Sequence, residues 1–324
     1  MCAQIDTGKS VSRSRSRSFF MFNTDIYICL YLGTQSIESA DKTLQEVYEL
    51  CLYFEHHLSR TRQDSDISRA VSYAPCAVEV CPEVLELMDA SRAFYQVSDG
   101  AFDVTMGSVT PLWDFHNKVV PAAFAVHKAL RHVGIQHIHT NKQACTLAID
   151  DPECKLDFGG IAKGYIADKI SSYLQREGYT SFLLNLGGNV VVHGSRLLCD
   201  RSREPFCIGV AHPTKPHEHI ALLSLENASV VTSGIHERSF YRQGKFYHHI
   251  LDARTGFPAQ SDLVSTTMVS EASVDADAYA TISFLKGLDA TKLIIEHTEG
   301  LEALCVDVCG KVWVSSGLQA HVKC

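Results

Sequence analysis

Apolar positions along this 324-residue chain follow two different periods. Ile26, Ile28, Leu30 and Leu32 recur every second residue, the pattern of a strand with one face in a core. Leu44, Val47, Cys51, Phe54 and Leu58 then recur at spacings of three and four, which predicts a helix ending near residue 58 and capped by Ser39 or Asp41. The polar residues 60–68 read as a loop. Pro82 suits the first turn of a second helix, with Val84, Leu87, Met88, Ser91 and Tyr95 along one face. Residues 121–132 read as a third helix and residues 155–158 as a short strand, followed by a helix over 162–177 closed by Gly178. The second half is strand-rich: 181–194, interrupted at Gly187-Gly188, then 206–211, 219–225, 229–233, 245–251 and 263–270. A helix at about 274–287 follows, and an α-β-β segment ends the chain. Strands and helices without regular βαβ alternation imply an α+β fold rather than a doubly wound sheet.

The N-terminus reads differently. Residues 11–18 are a Ser/Arg repeat of low complexity, so residues 1–18 are expected to be a disordered extension and residues 19–324 a single domain. The apolar run over 19–32 imitates the core of a signal peptide, but Asn23, Thr24 and Asp25 interrupt it. No stretch of about 18 uninterrupted apolar residues occurs, so no membrane span is expected. A hydrophobic content of 46% with 20% charged residues is that of a folded globular protein. The formal charge of −8 argues against a nucleic-acid partner, which a basic field would attract. It leaves a phosphorylated small molecule open, because a local site and its metal can oppose the global sign. The 12 cysteines are scattered, and the nearest pairs (Cys76 with Cys81, Cys305 with Cys309) lack paired C-x-x-C spacing. A structural zinc site is therefore not expected, and so many thiols without a framework indicate a reducing, cytoplasmic compartment.

Candidate chemistry concentrates in a few segments. Asp277 and Thr281 lie four apart on a predicted helix, hence on one face, and two hard oxygen donors so placed can hold Mg²⁺. His248 and His249 precede the turn Asp252-Ala253-Arg254-Thr255-Gly256 and suit proton transfer. In an alternating strand these histidines point to opposite faces, and alternation alone does not choose between them. Asp157-Phe158-Gly159-Gly160-Ile161-Ala162-Lys163-Gly164 joins a strand to a helix, where backbone can approach an anion, although it is neither a Walker A loop nor a dinucleotide fingerprint. Ser98-Asp99-Gly100-Ala101-Phe102-Asp103-Val104-Thr105 is a turn with two carboxylates, and Asn185-Leu186-Gly187-Gly188-Asn189 reads as a strand with a β-bulge. Thr232-Ser233-Gly234 is a weaker signal of the same kind.

Taken in order, these segments resemble the ApbE-type family of FAD:protein FMN transferases. The matching pieces are Gly100-Ala101-Phe102-Asp103, Asp157 to Gly164 with Asp168, Asn185-Leu186-Gly187-Gly188, Thr232-Ser233-Gly234, His249-Ile250-Leu251-Asp252-x-Arg254-Thr255-Gly256 and Ala276-Asp277-x-x-x-Thr281. The resemblance implies an ApbE-like α+β fold, with mixed and antiparallel sheets, flanking helices and an FAD cleft between two lobes. It implies a Mg²⁺-dependent enzyme that splits FAD, releases AMP and places FMN on a Thr or Ser hydroxyl of an acceptor protein. By the same resemblance Asp277, Thr281 and the Gly160 carbonyl hold the metal. Ala101, Phe102, Asp103, Asp157, Lys163 and Leu251 line the FAD site, and His249 is the base. The acceptor is expected to be a flavoprotein or redox-complex subunit with an Asp/Ser-x-x-Thr/Ser-Gly-Ala-Thr/Ser-like motif. Two other outcomes share this reading: an FAD pyrophosphatase yielding FMN and AMP, and a flavin-binding protein without turnover. The chain departs from the family pattern at Phe22-Asn23-Thr24, where Met-x-Thr is frequent, and at Ser59-Arg60-Thr61, where the third residue is often aromatic and contacts the flavin. Ala253 also stands where the turn usually has proline.

Overall fold

A computed structural model describes residues 2–4, 13–200, 202–215 and 217–323. Eight strands form one sheet: β1 (Ser14–Met21), β2 (Thr24–Tyr31), β3 (Phe182–Leu186), β4 (Asn189–His193), β5 (Ala228–Gly234), β6 (Leu263–Ser270), β7 (Glu302–Asp307) and β8 (Val312–Val314). Their order across the sheet is their order along the chain, and every neighbouring pair is antiparallel. The helices are α1 (Ile37–Leu58), α2 (Asp66–Ser72), α3 (Pro82–Val97), α4 (Ala123–Leu130), α5 (Ala162–Arg176), α6 (Ser273–Lys286), α7 (Leu288–His297) and α8 (Ser316–Gln319). This mixture of helices with antiparallel sheets is the α+β class expected from the sequence. None of the described helices is long and apolar enough to cross a membrane.

Two tight hairpins begin the sheet. β1 and β2 turn at Phe22-Asn23, and β3 and β4 at Gly187-Gly188, with positive φ at both central residues in each case. Two-residue hairpin turns of this kind match the twist of the strands they join. The bulge expected at Gly187-Gly188 is therefore a chain reversal, and residues 181–194 make two strands rather than one. Asn185 Oδ1 accepts the Gly188 N–H at 2.9 Å, and a Cβ on Gly187 would stand 2.0 Å from the Thr24 hydroxyl oxygen.

Residues 14–18, expected to be disordered, form the first half of β1. The Ser/Arg repeat has the period of a strand: arginines and Phe19 share one face, serines the exposed other. The arginine face is used by α1. Arg17 sits over the Tyr48 ring at 4.4 Å and donates to Gln45 Oε1 at 2.6 Å, while Arg15 lies 3.3 Å from Asp41. Phe19 meets Tyr48 edge-on at 5.0 Å. Cys2–Gln4 also pair as a strand with Phe206–Ala211. The remainder of the expected extension, residues 1 and 5–12, lies outside the described residues.

Contacts divide the chain into two units. The first comprises Met1–Leu52, Lys163–Gly234 and Asp262–Cys324. It holds the eight-stranded sheet and a second antiparallel sheet built from Cys2–Gln4, Phe206–Ala211, His219–Leu225 and Val322–Lys323. Both sheets supply residues to one core, with Val190, Val192, Val230 and Leu304 meeting Phe206, Ile208 and Leu223. Helix α6 packs on β5 and β6 and buries Ala276, Ala278, Ala280, Ile282 and Phe284.

The second unit comprises Tyr53–Ala162 and Ile235–Ser261. Its apolar cluster contains Met106, Val109, Trp113, Val126 and Leu251. Here the structure corrects two expectations. Residues 60–68 are not all loop, because Ser65 Oγ accepts the Ser68 N–H at 3.0 Å and starts α2 at Asp66. Residues 155–158 make only an isolated bridge, Met106 to Lys155, and the strands of this region are Val78–Glu79, Ile138–Asn141 and Thr146–Ile149. The polar turn between the last two strands hides their short apolar alternation.

Deleting residues 1–18 is expected to lower the thermal midpoint measured by scanning calorimetry, because it removes five of the eight residue pairs of the β1–β2 ladder and the Arg17–Tyr48 contact. An unchanged midpoint would restore the reading of a disordered extension.

Candidate functional site

Helix α6 begins without a side-chain cap of its own, since its N-cap residue is Ala272. Its first amides are satisfied from α5 instead. Asp168 Oδ1 accepts the Ser273 N–H at 2.7 Å and Oδ2 accepts the Val274 N–H at 2.9 Å. The favour is returned one turn along. Asp277, buried at 4% exposure, accepts through Oδ2 the Gly164 N–H, an orphan donor in the first turn of α5, at 2.9 Å. Each helix thus caps the other with a carboxylate. The approach is close enough that a Cβ on Gly164 would stand 2.4 Å from the Ser273 carbonyl oxygen and 2.8 Å from Asp277 Cβ.

This exchange fixes the other oxygen of Asp277. Lys163 Nζ lies 3.6 Å from Oδ1, and Thr281, one helical turn further on, places its hydroxyl 3.3 Å from Ser233 Oγ. Beneath the start of α6, Ser273 Oγ donates to Asn189 Oδ1 at 2.7 Å and accepts from Ser229 Oγ at 2.8 Å. Asp277, Thr281 and Ser233 offer only oxygen donors, a set that fits a hard cation such as Mg²⁺ and does not favour a thiophilic ion. The Lys163 ammonium beside them suits phosphate oxygens. Sequence reasoning missed Ser229, Ser273 and the amide of Gly164. The small residues next to Thr232-Ser233-Gly234 and at the head of α6 were the available signal, but serines in strands are common.

In the second unit, Asp103 Oδ1 accepts the backbone N–H and hydroxyl of Thr105 at 2.8 and 2.6 Å, and the Thr105 oxygen accepts the Gly134 N–H at 2.7 Å. Burial raises the pKa of Asp103 against these donors. Asp157 donates its N–H to the Val104 carbonyl at 2.7 Å, which ties the two acidic segments together. Its Oδ1 accepts the Gly159 N–H at 2.9 Å, while Oδ2 accepts the Thr110 hydroxyl at 2.9 Å and lies 3.3 Å from Arg60 Nε. Gly160 occupies the turn in which the Ile161 and Ala162 amides return to the Phe158 carbonyl. Phe102 is buried edge-on to Phe94 at 6.2 Å, and Leu251 belongs to the apolar cluster, so both offer a ligand mainly their backbone. Ala101, half-buried, immediately precedes Phe102.

The two histidines separate clearly. His248 is buried, donates Nε2–H to the Ala259 carbonyl at 3.0 Å, and is held below the usual histidine pKa by burial. It is a neutral structural residue. His249 is half-buried, its backbone N–H reaches the Arg238 carbonyl at 3.1 Å, and its ring stands edge-on to Phe115. The following turn is closed by charge: Arg254 makes Nε–Oδ1 and Nη2–Oδ2 contacts of 3.0 and 2.7 Å with Asp252, which holds that carboxyl below its ordinary range. Gly256 has φ +69°, and its carbonyl accepts Trp113 Nε1–H at 3.0 Å. A Cβ there would stand 2.5 Å from a Val126 methyl group. The fork of Arg254 on Asp252 supplies rigidity where Ala253 replaces proline.

The profile of the ApbE family matches residues 22–305. A protein of Klebsiella pneumoniae (strain 342) named FAD:protein FMN transferase is 32% identical over 303 residues, which span 92% of this chain and 90% of that protein. One of the same name from Treponema pallidum (strain Nichols) is 32% identical over 329 residues, 98% of this chain and 91% of that protein. The crystal structure of an ApbE protein from Thermotoga maritima superposes with a TM-score of 0.85 at 27% identity, covering 96% of this chain and all of that one.

Asp168 carries a pH signature. Burial raises its pKa from 3.8 to about 6 despite its two amide donors, and Asp275 and Asp277 push the same way. The folded state therefore binds a proton more tightly than the unfolded state. The stability tied to that proton is fully present below about pH 4 and is lost as pH rises through the folded pKa. Asp168→Asn is expected to flatten this fall in urea unfolding measured across that window. Parallel pH profiles for the variant and the native protein would contradict it.

Proposed function

Because the chain belongs to the ApbE family, we propose that it transfers FMN from FAD to a Thr or Ser hydroxyl of an acceptor protein and releases AMP. The observation that carries this reading is the oxygen-only pair Asp277 and Thr281, with Lys163 beside it and the Gly164 amide fixing the carboxylate. Asp277 and Thr281, with the Gly160 carbonyl, hold Mg²⁺, which when bound neutralises charge on the pyrophosphate. Lys163 adds a second positive charge for phosphate oxygens. Ala101, Phe102, Asp103, Asp157 and Leu251 bind FAD, the buried Phe102 and Leu251 through their backbone.

The acceptor oxygen attacks the phosphorus on the FMN side of the pyrophosphate. A new P–O bond forms there, the anhydride P–O bond breaks, and AMP leaves with the bonding pair. His249 takes the hydroxyl proton, which activates an otherwise poor nucleophile. The neutral, carbonyl-bound His248 is unsuited to that task. The acceptor is a flavoprotein or redox-complex subunit bearing an Asp/Ser-x-x-Thr/Ser-Gly-Ala-Thr/Ser-like motif. The free thiols among the described residues are in keeping with action in the reducing cytoplasm.

One observation favours a second reading. Thr61 is a short, exposed side chain bonded only locally to Ser59, at a position often aromatic in the family. A smaller side chain there gives less protection from water, and water as acceptor turns the same chemistry into FAD hydrolysis.

Incubation with FAD, Mg²⁺ and a motif-bearing peptide is expected to release AMP and add the mass of FMN less one water to the peptide. AMP with an unmodified peptide would favour hydrolysis, and bound FAD with no AMP would overturn both. His249→Ala is expected to slow transfer by roughly 10²–10⁴-fold with FAD binding retained. Full activity in that variant would remove the histidine from its role.

A further inference from the structure

Three donors of different chemistry meet in the second unit, on segments far apart in sequence. His57 is the second-last residue of α1, Asp66 is the first of α2, and Cys81 immediately precedes α3. A ring nitrogen of His57, a carboxylate oxygen of Asp66 and the Cys81 Sγ atom all lie within 4.8 Å of one another, with Nδ1 of His57 2.9 Å from Asp66 Oδ2. We propose that His57, Asp66 and Cys81 form a binding site for a borderline divalent cation, zinc in the first place, that ties the ends of these three helices together.

The donor set selects the ion. One imidazole nitrogen, one carboxylate oxygen and one thiolate sulfur suit zinc and are poor for magnesium. This separates the cluster from the oxygen-only set at Asp277 and Thr281. Three protein ligands leave a fourth tetrahedral position for water. Zinc bonds of roughly 2.0–2.3 Å require the three side-chain ends to draw together by a small movement.

The surroundings are built for it. Arg69 Nη2 donates to Asp66 Oδ1 at 2.6 Å and so orients the carboxylate with Oδ2 toward the other two ligands. Oδ2 accepts from His57 Nδ1 at 2.9 Å and from the Cys81 backbone N–H at 2.7 Å. The Tyr53 hydroxyl, bonded to Glu83 Oε2 at 2.8 Å, also reaches the Cys81 sulfur. Asp66 is 3% exposed, whereas His57 and Cys81 are half-buried, which leaves an entry path.

Cys81 occupies the N-cap of α3, where its sulfur meets two hydrogen-bond donors, the Val84 backbone N–H and the Tyr53 hydroxyl. Both donors favour the thiolate, the form that binds a metal. On binding, the cation replaces the thiol proton of Cys81. His57 coordinates through Nδ1 as the neutral ring and keeps its proton on Nε2. Two metal bonds thus form at the release of one thiol proton, with the imidazole changing tautomer, and the Asp66 carboxylate adds the third. Binding weakens as pH falls, since both groups must be unprotonated at the coordinating atoms.

The test uses the full chain, freed of metal with a chelator and titrated with Co²⁺ as a spectroscopic stand-in for zinc. One equivalent is expected to produce a thiolate-to-cobalt charge-transfer band, which added Zn²⁺ abolishes. Co²⁺ bound by oxygen ligands alone produces no such band, so occupancy at Asp277 does not mimic the result. Cys81→Ser is expected to remove the band while keeping the fold, because serine is a good N-cap. His57→Gln is expected to weaken binding by roughly tenfold or more. Zinc should raise the thermal midpoint of the native chain but not of Cys81→Ser. A band that survives in Cys81→Ser would assign binding to another thiol, such as the exposed Cys76, Cys199 or Cys309, and would overturn the proposal. So would the absence of any band in the native chain.

Discussion

The mutual capping of α5 and α6 is the constraint on which the candidate site depends. A helix whose N-cap is Ala272 has no capping side chain to satisfy its first amides, and Asp168 supplies both acceptors from a neighbouring helix. Asp277 in turn takes the Gly164 amide, which requires the helices to approach within a distance that only glycine allows. Neither contact is an isolated detail. The first sets where α6 begins, hence where Asp277 and Thr281 fall along it. The second turns one carboxylate oxygen inward and leaves the other beside Lys163. Ser229, Asn189 and Ser273 anchor the same helix end to the sheet, so the position of the proposed metal ligands is inherited from the backbone of β4 and β5.

Much of this was legible along the chain wherever the controlling interaction is local. The four-residue spacing of Asp277 and Thr281 places both on one helical face, and periodicity located α1, α3, α5 and α6 to within a few residues. Capping, by contrast, crosses the fold. Asp168 and Ser273 are separated by 105 residues, and Gly164 and Asp277 by 113, so no periodic pattern encodes either contact. The Ser/Arg repeat of β1 hides its structure for a related reason. Its composition resembles that of disordered segments, whereas its alternation matters only because α1 presents Asp41, Gln45 and Tyr48 to the arginine face. Gly187-Gly188 resembles a bulge in sequence because an apolar run on each side gives no sign that the chain reverses.

The histidine pair shows what structure adds to a local pattern. Alternation placed His248 and His249 on opposite faces without ranking them. The carbonyl of Ala259 accounts for His248, and the burial that accompanies it keeps that ring neutral. A similar division applies to cations. Spacing alone argued against a zinc site because no two cysteines are suitably close in sequence. The proposed ligands His57, Asp66 and Cys81 come from three separate helix ends, an arrangement that sequence spacing does not register. The two proposed sets differ in chemistry, oxygen donors at Asp277 and Thr281 and mixed nitrogen, oxygen and sulfur donors at His57, Asp66 and Cys81.

The α5–α6 contact positions Asp277 for the metal binding proposed for it. The most direct measurement is the Mg²⁺ dependence of AMP release from FAD in Gly164→Ala, with folding checked by circular dichroism. The added methyl group must push Asp277 or the Ser273 carbonyl aside, an overpacking that costs about 1–3 kcal/mol. The Mg²⁺ concentration for half-maximal AMP release should rise several-fold, with the KM for FAD at saturating Mg²⁺ little changed. A folded variant with the Mg²⁺ dependence of the native chain would contradict the claim that this helix contact sets the carboxylate proposed to bind the metal.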